Sequence, residues 1–589
     1  MTIHEALKKY YGYDSFRPQQ EEIINNILNK NDTLVLMPTG GGKSLCFQIP
    51  AIVSEGITIV ISPLIALMTD QVNNLKQIGV EAEYINSNLS DDLYKDVYKK
   101  TLNNTLKMLY VSPEKLQTNN FIDFLKKLNI SYFAIDEAHC ISNWGHDFRP
   151  DYTKLNILKE EFKHVPIIAL TATADKVIRK DILTQLNISH AKVYLSSFDR
   201  KNLSLNVSYG SKKFEQILNF LKSRKDENGI IYCISRKNTE DLCKKLKHAG
   251  YKCGFYHAGM EANERSKIQQ EFQNDEIRII TATIAFGMGI DKSNVRYVIH
   301  YNIPKNIENF YQEIGRAGRD GCNSDTILFY SYADIVVYNK MLGNVENLER
   351  KQLLISKMDR MMQYCTADVC RRKILLSYFN EEVVEDCGNC DVCKNPPNVI
   401  DNTILAQKIL STIVRVNQKV NMMTLIPILR GTSHYYKNIK TYGICEEYSV
   451  DELSDVIIKM LNNGFIDIAY DEKSNLKINN LSNNILVKGM KVYLSEYTGS
   501  VNKVVENTIK KEENNDVCDN VLLEKLKEAR RNIAIKEKVP AYVVFTDKTL
   551  LELAAKKPKN KKEMLNINGI AEAKFDKYGI KILDLINDK

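Results

Sequence analysis

The stretch Leu34-Val-Leu-Met-Pro-Thr-Gly-Gly-Gly-Lys-Ser44 decides the fold of this 589-residue chain. The apolar run from Thr33 to Met37 predicts a short buried parallel strand. The glycines after it let the backbone turn with its N–H groups facing inward, and the next residues open a helix with a positive N-terminal end. The residues of this turn are Thr39, Gly40, Gly41, Gly42, Lys43 and Ser44.

This strand, turn and helix predict a binding site for the triphosphate of ATP. In such a loop Lys43 reaches the β- and γ-phosphates and the Ser44 hydroxyl binds Mg²⁺. Met37 stands where the motif normally has its first glycine. The strand before the loop and the helix after it favour a nucleotide site over a chance Gly-rich turn.

Composition and length indicate a soluble protein of several domains. The chain is 44% hydrophobic and 26% charged, which is typical of globular proteins, and its length predicts roughly three to five domains. We find no apolar run of about 18 residues and no apolar core of a signal peptide near Met1, so we expect a cytoplasmic protein. In that compartment 13 cysteines indicate free thiols or a metal site.

Positive charge is concentrated at the C-terminal end. The net charge is +8, and residues 520–589 contain 16 Lys and Arg against 10 Asp and Glu. This excess is compatible with contact to a polyanion such as nucleic acid, and equally with a solvated lysine-rich surface.

Apolar runs alternate with helical segments in the first half of the chain, which predicts a doubly wound parallel sheet. Ligands bind such sheets at the carboxyl ends of the strands. Asp136 and Glu137 follow one strand, where Asp136 can bind Mg²⁺ and Glu137 can orient and deprotonate water. Thr171 and Thr173 follow another, and their hydroxyls suit a relay of the nucleotide state across an interface.

Two further segments of this half have aromatic and polar side chains suited to binding bases. Pro18 predicts a helix start beside Tyr13, Arg17 and Gln20, which have the chemistry to stack on adenine and to pair with its edge. A plain helix cap explains these residues equally well. Residues 140–151 interleave aromatic, imidazole and guanidinium groups, which favours a base-stacking DNA-binding loop over a hydrophobic plug. Its candidate DNA-binding residues are Trp144, His146, Phe148 and Arg149.

From about Lys201 the alternation of strands and helices restarts, which predicts a second α/β lobe without a phosphate loop of its own. Within it, Arg316 and Arg319 are three residues apart, and we expect them on one face of a helix. An arginine that reaches the γ-phosphate bound to the other lobe would be a catalytic arginine finger.

A cysteine cluster follows the second lobe. Cys387, Cys390 and Cys393 are separated by two residues each, and with Cys370 they can form a tetrahedral thiolate site for structural Zn²⁺. Cys365 is a rival for the fourth position.

Three segments complete the chain. Helices followed by two short strands predict a winged-helix fold, in which Arg430, His434 and Lys437 are candidate contacts to duplex DNA, although a solvated surface explains them equally well. Residues 499–519 have the composition of a flexible tether. The helical segments beyond it predict a compact module, and Asn566–Ile570 either binds a DNA phosphate on its amides or only marks the start of a helix.

These motifs together resemble those of superfamily 2 helicases. The fragments that carry the resemblance are Met37–Ser44, Asp136-Glu-Ala-His139, Thr171-Ala-Thr173 and Gln312–Arg319. Phe16-Arg-Pro-Gln-Gln20 and Cys140–Arg149 narrow it to the RecQ DNA helicases. Gln19 replaces a glycine that many members have there.

The resemblance implies a function and a role for several residues. It implies an ATP-dependent 3′→5′ DNA helicase of recombination, repair and replication that acts on single-stranded, duplex and forked or branched DNA. Tyr13, Arg17 and Gln20 would hold adenine, the Trp144–Arg149 loop would couple DNA to hydrolysis, and Arg319 would be the finger with Arg316 beside it. Cys370 would be the fourth zinc ligand.

The resemblance also implies an order of domains. Two RecA-like lobes would span 1–200 and 201–340, followed by a helical zinc subdomain at 341–400, a winged-helix domain at 401–498, a linker at 499–519 and an all-α HRDC domain at 520–589. Single-stranded-DNA-binding protein and topoisomerase are the implied partners, and nucleoid association the implied location in a bacterium. An RNA helicase or a nucleic-acid-stimulated remodelling ATPase is the alternative, but it would not need the zinc and winged-helix pair.

Overall fold

The computed structural model describes residues 1–85, 91–142, 147–210, 212–287, 292–343, 345–497, 519–537 and 539–587. Within them the predicted α/β architecture of two parallel-sheet lobes followed by helical and winged-helix regions is confirmed. The predicted tether falls almost wholly outside the described residues.

The first lobe is built on a seven-stranded parallel sheet. Its strand order is β3-β4-β2-β5-β6-β1-β7, which places β1 between β6 and β7 and puts β5 beside β6. All residues of β1, β2 and β6 are buried because helices cover both faces of the sheet. The strands are β1 Thr33–Leu36, β2 Ile57–Ile61, β3 Ala82–Ile85, β4 Met108–Val111, β5 Ile130–Ile135, β6 Ile167–Thr171 and β7 Lys192–Leu195.

The helices of this lobe connect and cover these strands. The predicted helix start at Pro18 is wrong by two residues, because Gln19 adopts a left-handed φ of 67° and the helix begins at Gln20. The α-helices are Ile3–Ala6, Gln20–Leu28, Lys43–Val53, Ile65–Gln77, Asp91–Leu102, Pro113–Leu116, Asn119–Leu125, Pro150–Thr153, Ile157–Glu161 and Lys176–Gln185, with a π-helix at Leu7–Tyr11 and 3₁₀ turns at Ala138–Ile141 and Lys154–Asn156.

The second lobe has a six-stranded parallel sheet of order β10-β11-β9-β12-β13-β8. Its strands are β8 Leu203–Ser208, β9 Asn228–Tyr232, β10 Cys253–Tyr256, β11 Ile279–Ala282, β12 Val295–His300 and β13 Ser324–Phe329. Its helices are Lys213–Leu221, Arg236–His248, Ala262–Gln273 and Ile307–Ile314.

Three smaller units follow the lobes. Helices Tyr332–Leu342, Leu348–Thr366, Arg371–Tyr378 and Asp391–Lys394 lead into the cysteine cluster. The winged-helix region has helices Thr403–Arg415, Met422–Leu429, Val450–Asn462 and Asn480–Val487, an antiparallel wing of β15 Asp467–Ala469 and β16 Asn475–Lys477 with a 3₁₀ turn at Tyr470–Glu472, and a second antiparallel pair of β14 Val399–Asp401 and β17 Tyr493–Ser495. The C-terminal module has helices Asn520–Glu537, Ala541–Val544, Asp547–Lys556, Lys561–Met564, Glu572–Lys574 and Ile580–Ile586, and a π-helix at Phe575–Gly579.

Candidate nucleotide and DNA site

The phosphate loop leaves the carboxyl end of β1 and enters helix Lys43–Val53. Gly40 and Gly42 have φ of 78° and 91°, the region that favours glycine. A Cβ on Gly42 would lie 2.4 Å from Nε2 of Gln20, so any other residue would be strained at this φ and would displace that amide. The conformation of the phosphate loop therefore depends on glycine at positions 40 and 42.

The residues predicted to hold adenine lie against this loop. Arg17 Nη1 donates to the Gly40 carbonyl at 2.5 Å, and Gln20 Nε2 donates to the Gly42 carbonyl at 3.1 Å. Gln20 Oε1 accepts from the Arg17 N–H at 2.9 Å, so both ends of this amide already have protein partners. Tyr13 is 37% exposed and lines the same cavity as the loop. In this structure Gln20 thus braces the loop.

Asp136 and Glu137 follow β5 at the same edge of the sheet. Asp136 Oδ1 accepts from the Glu137 N–H at 2.9 Å, and Glu137 has a left-handed φ of 48°. The pKa of Asp136 is raised to about 7, mainly by burial and next by the adjacent charge of Glu137, while the Lys43 ammonium opposes both. Burial also lowers the pKa of Lys43, against the pull of both carboxylates. A divalent cation would relieve this crowding of negative charge.

A chain of close polar contacts runs from Glu137 toward the second lobe. Glu137 Oε2 lies 3.3 Å from Nδ1 of the fully buried His139, and that nitrogen is 2.9 Å from Thr171 Oγ1. Thr171 Oγ1 accepts from the Thr173 N–H at 3.2 Å. Gln312 of the second lobe donates from Nε2 to Thr173 Oγ1 at 3.3 Å. The chain thus connects the Glu137 carboxylate to the second lobe.

Arg316 and Arg319 do not lie on a helix, so that prediction is wrong. Helix Ile307–Ile314 ends at Gly315, and both arginines lie in the turns that follow. Arg316 is buried, whereas Arg319 is partly exposed. Both line the cavity that also contains Lys43 and Asp136.

That cavity has a volume of about 720 Å³ and lies between the two lobes. The first lobe contributes the phosphate loop, the adenine candidates and both carboxylates, and the second contributes Gln312, Arg316, Arg319 and Asp320. This is the composite geometry that the hydrolysis of a nucleoside triphosphate needs.

The structure brings together four cysteines, Cys370, Cys387, Cys390 and Cys393, with all Sγ atoms within 4.8 Å of one another. Cys387 and Cys393 Sγ are 3.9 Å apart, close to the roughly 3.8 Å edge of a tetrahedron with Zn–S bonds of about 2.3 Å. Cys365 lies outside this group, buried in helix Leu348–Thr366. The donor set fits structural zinc.

The aromatic loop is described only in part. Trp144 and His146 lie outside the described residues. Arg149 Nη1 donates to the Pro63 carbonyl at 2.7 Å, and the ring of Phe148 lies 5.9 Å from the Arg350 guanidinium. Arg149 therefore connects the loop to the Ser62–Pro63 turn at the end of β2.

Models of known families match nearly all of the chain. They describe a DEAD/DEAH box helicase at 17–180, a helicase conserved C-terminal domain at 212–321, a RecQ zinc-binding region at 332–394, an RQC domain at 396–503 and an HRDC domain at 519–586. The ATP-dependent DNA helicase RecQ of Pasteurella multocida is 41% identical over 99% of this chain and 93% of its own length. RecQ helicases of Haemophilus influenzae and Bacillus subtilis are 40% and 38% identical over 100% and 98% of this chain, and over 96% and 97% of their own lengths.

The chain belongs to the RecQ family of ATP-dependent DNA helicases. The predicted family and its helicase activity are thus confirmed, and the RNA-helicase alternative is not favoured. The cysteine cluster falls inside the RecQ zinc-binding match. In the RQC match, Arg430 Nε donates to the Tyr448 carbonyl at 3.0 Å, while His434 and Lys437 are exposed.

The HRDC region of this RecQ chain packs on both lobes beside the nucleotide cavity, which the sequence analysis did not predict. On the first lobe, Lys8 Nζ donates to the Leu565 carbonyl at 3.0 Å. On the second, Arg296 lies 3.2 Å from Asp547, and Lys292 lies 5.7 Å from the ring centre of Tyr542. HRDC residues including Tyr542, Asn568 and Lys574 line the cavity.

This packing changes the interpretation of Asn566–Ile570. The Gly569 N–H donates to the Gly12 carbonyl at 3.3 Å, and a Cβ on Gly12 would lie 2.7 Å from the Ala571 nitrogen. In the docked arrangement the segment thus contacts the first lobe, so the predicted DNA phosphate would have to displace it.

Among the described residues, none of the helices is long and apolar enough to span a membrane.

Proposed function

We propose that this RecQ helicase moves 3′→5′ along single-stranded DNA and unwinds forked and branched duplexes in recombination, repair and replication. The observation that carries the proposal is the cavity shared by both lobes, because closure on a nucleotide there would move one lobe relative to the other.

In the proposed reaction, ATP lies with its phosphates on the loop of residues 39–44. Lys43 neutralises the β- and γ-phosphates, and Ser44 and Asp136 would hold Mg²⁺, which supplies positive charge to the same oxygens. Glu137 orients a water molecule and accepts its proton as the water oxygen bonds to the γ-phosphorus and the bridging bond to ADP breaks.

Arg319 completes the site from the second lobe. As charge spreads over the transferred phosphoryl group, its guanidinium stabilises the oxygens, with Arg316 as a buried neighbour. Tyr13 and Arg17 would contact adenine. Gln20 would also bind adenine if its side-chain amide gave up the hydrogen bond to the Gly42 carbonyl and bonded to the base instead.

The contacts from Glu137 to Gln312 offer a route by which lobe closure and hydrolysis are coupled. DNA would act on the same route through the loop that contains Trp144, His146, Phe148 and Arg149, since Arg149 already connects that loop to the Pro63 turn.

The remaining parts would organise the substrate. Zn²⁺ bound by the four clustered cysteines would stabilise the subdomain that holds the lobes and winged helix together, and the winged helix would hold the duplex. Single-stranded-DNA-binding protein and topoisomerase are proposed partners, and nucleoid association is the proposed location in a bacterium.

The experiment measures steady-state ATP hydrolysis with magnesium under three conditions. The first has no nucleic acid, the second has single-stranded DNA, and the third has single-stranded RNA of matched sequence. We expect strong stimulation by DNA and little by RNA. Equal stimulation by RNA would refute the proposed DNA specificity, and no stimulation by either would refute the coupling of hydrolysis to nucleic acid.

A further inference from the structure

The segment between the two lobes contains an arginine that belongs to none of the sequence motifs described above. Arg200 lies between β7 and β8 and is partly buried. The backbone around it is held from the zinc subdomain, since the Phe198 N–H donates to Glu381 at 2.8 Å and Arg372 pairs with Asp199 at 2.5 Å. These contacts of its two neighbours hold the backbone at Arg200 in place independently of the Arg200 side chain.

The guanidinium of Arg200 joins main-chain carbonyls of both lobes. Nη1 donates to the Thr39 carbonyl in the phosphate loop and, at 3.4 Å, to the Gly315 carbonyl. Nη2 donates to the Ala317 carbonyl at 3.0 Å and to the Gly318 carbonyl at 2.8 Å. One planar group thus fixes the phosphate loop and the segment that contains the proposed finger.

The two segments are in direct contact at this point. A Cβ on Gly315 would lie 3.0 Å from the Cβ of Thr39, and a Cβ on Gly40 would lie 3.5 Å from the Cα of Arg319. A small change in how these segments pack would therefore move Arg319 relative to the bound phosphates.

The geometry points to Arg200 as a positioning residue for ATP hydrolysis, which holds Arg319 at the γ-phosphate through the backbone of residues 315–318. This inference rests on the proposed role of Arg319. Burial, with the nearby charges of Arg319 and Arg17, lowers the pKa of Arg200 to about 10, which still leaves the guanidinium charged at neutral pH. Lysine cannot replace it, because one ammonium group does not provide a fork that spans these carbonyls.

The test compares Arg200→Lys, Arg319→Ala and the double variant in the full chain by DNA-stimulated ATPase kinetics and binding of a fluorescent ADP analogue. We expect Arg200→Lys to lower kcat about 100-fold, as a misplacement of about 1 Å does, with KM for ATP within about threefold. Arg319→Ala should cost about 1000-fold. The double variant should be no slower than Arg319→Ala, because residues that act as a unit are not additive.

Arg179→Lys is the matched control, because this partly buried guanidinium donates to the Asp175 carbonyl within the first lobe alone. We expect it to keep wild-type kcat. Unchanged kcat in Arg200→Lys, a multiplicative loss in the double variant or a loss of ADP binding in Arg200→Lys would each overturn the inference. Wild-type protein without DNA-stimulated ATPase would instead refute the proposed function itself.

Discussion

Thr171→Val tests the contacts between Glu137 and the second lobe, since it removes a hydroxyl and keeps the shape of the side chain. The hydroxyl lies 2.9 Å from Nδ1 of His139, which is fully buried. A buried polar atom that loses its partner costs about 1–3 kcal/mol. If this cost falls on the transition state, kcat drops about 5- to 150-fold. The KM for ATP should change little, because Thr171 does not line the cavity.

The assay is DNA-stimulated ATP hydrolysis as a function of ATP concentration, with thermal unfolding measured on the same preparations. Thr101→Val is the matched control, because Thr101 is also fully buried in the first lobe but donates to Val97 in its own helix at 2.7 Å. We expect both variants to lose stability and only Thr171→Val to lose kcat. Equal kcat in the two variants would refute the proposed coupling route.

Four further variants test the nucleotide site, the zinc site and the docking of the HRDC region. Lys43→Ala should abolish hydrolysis and Glu137→Gln should lower kcat about 10²–10⁴-fold, with DNA affinity by fluorescence anisotropy unchanged; normal turnover would contradict the assigned roles. Cys390→Ser should lower the zinc content measured by atomic absorption and destabilise the subdomain to limited proteolysis; full zinc content would remove this cysteine from the site. Lys8→Ala combined with Tyr542→Ala should loosen the HRDC region and speed its backbone hydrogen exchange, whereas unchanged exchange would show that these contacts do not hold it.

Local sequence patterns predicted much of the fold and the site. The apolar run from Thr33 to Met37 located β1 to within one residue, because buried parallel strands need continuous apolar sequence. The phosphate loop, Asp136 and the cysteine cluster were predictable because each depends on residues close together in the chain or at the end of one strand. The neighbouring order of β5, β6 and β1 then brings Asp136, Thr171 and the loop to one edge.

The features that were missed depend on tertiary placement. Spacing alone predicted a helix for Arg316 and Arg319, but Gly315 ends the helix just before them. Arg200 binds main-chain carbonyls, which leave no signature in sequence. The docking of the HRDC region brings together residues far apart in the chain, such as Gly12 with Gly569, Lys8 with Leu565 and Arg296 with Asp547.

In the proposed function, ATP hydrolysis between the lobes drives directional movement on DNA. The most direct measurement is strand displacement by the purified protein, with magnesium and ATP, on one duplex that bears either a 3′ or a 5′ single-stranded tail. We expect the wild-type protein to unwind the 3′-tailed duplex and not the 5′-tailed duplex, and Glu137→Gln to unwind neither. Unwinding of only the 5′-tailed duplex, or of neither duplex by the wild-type protein, would contradict the proposed function.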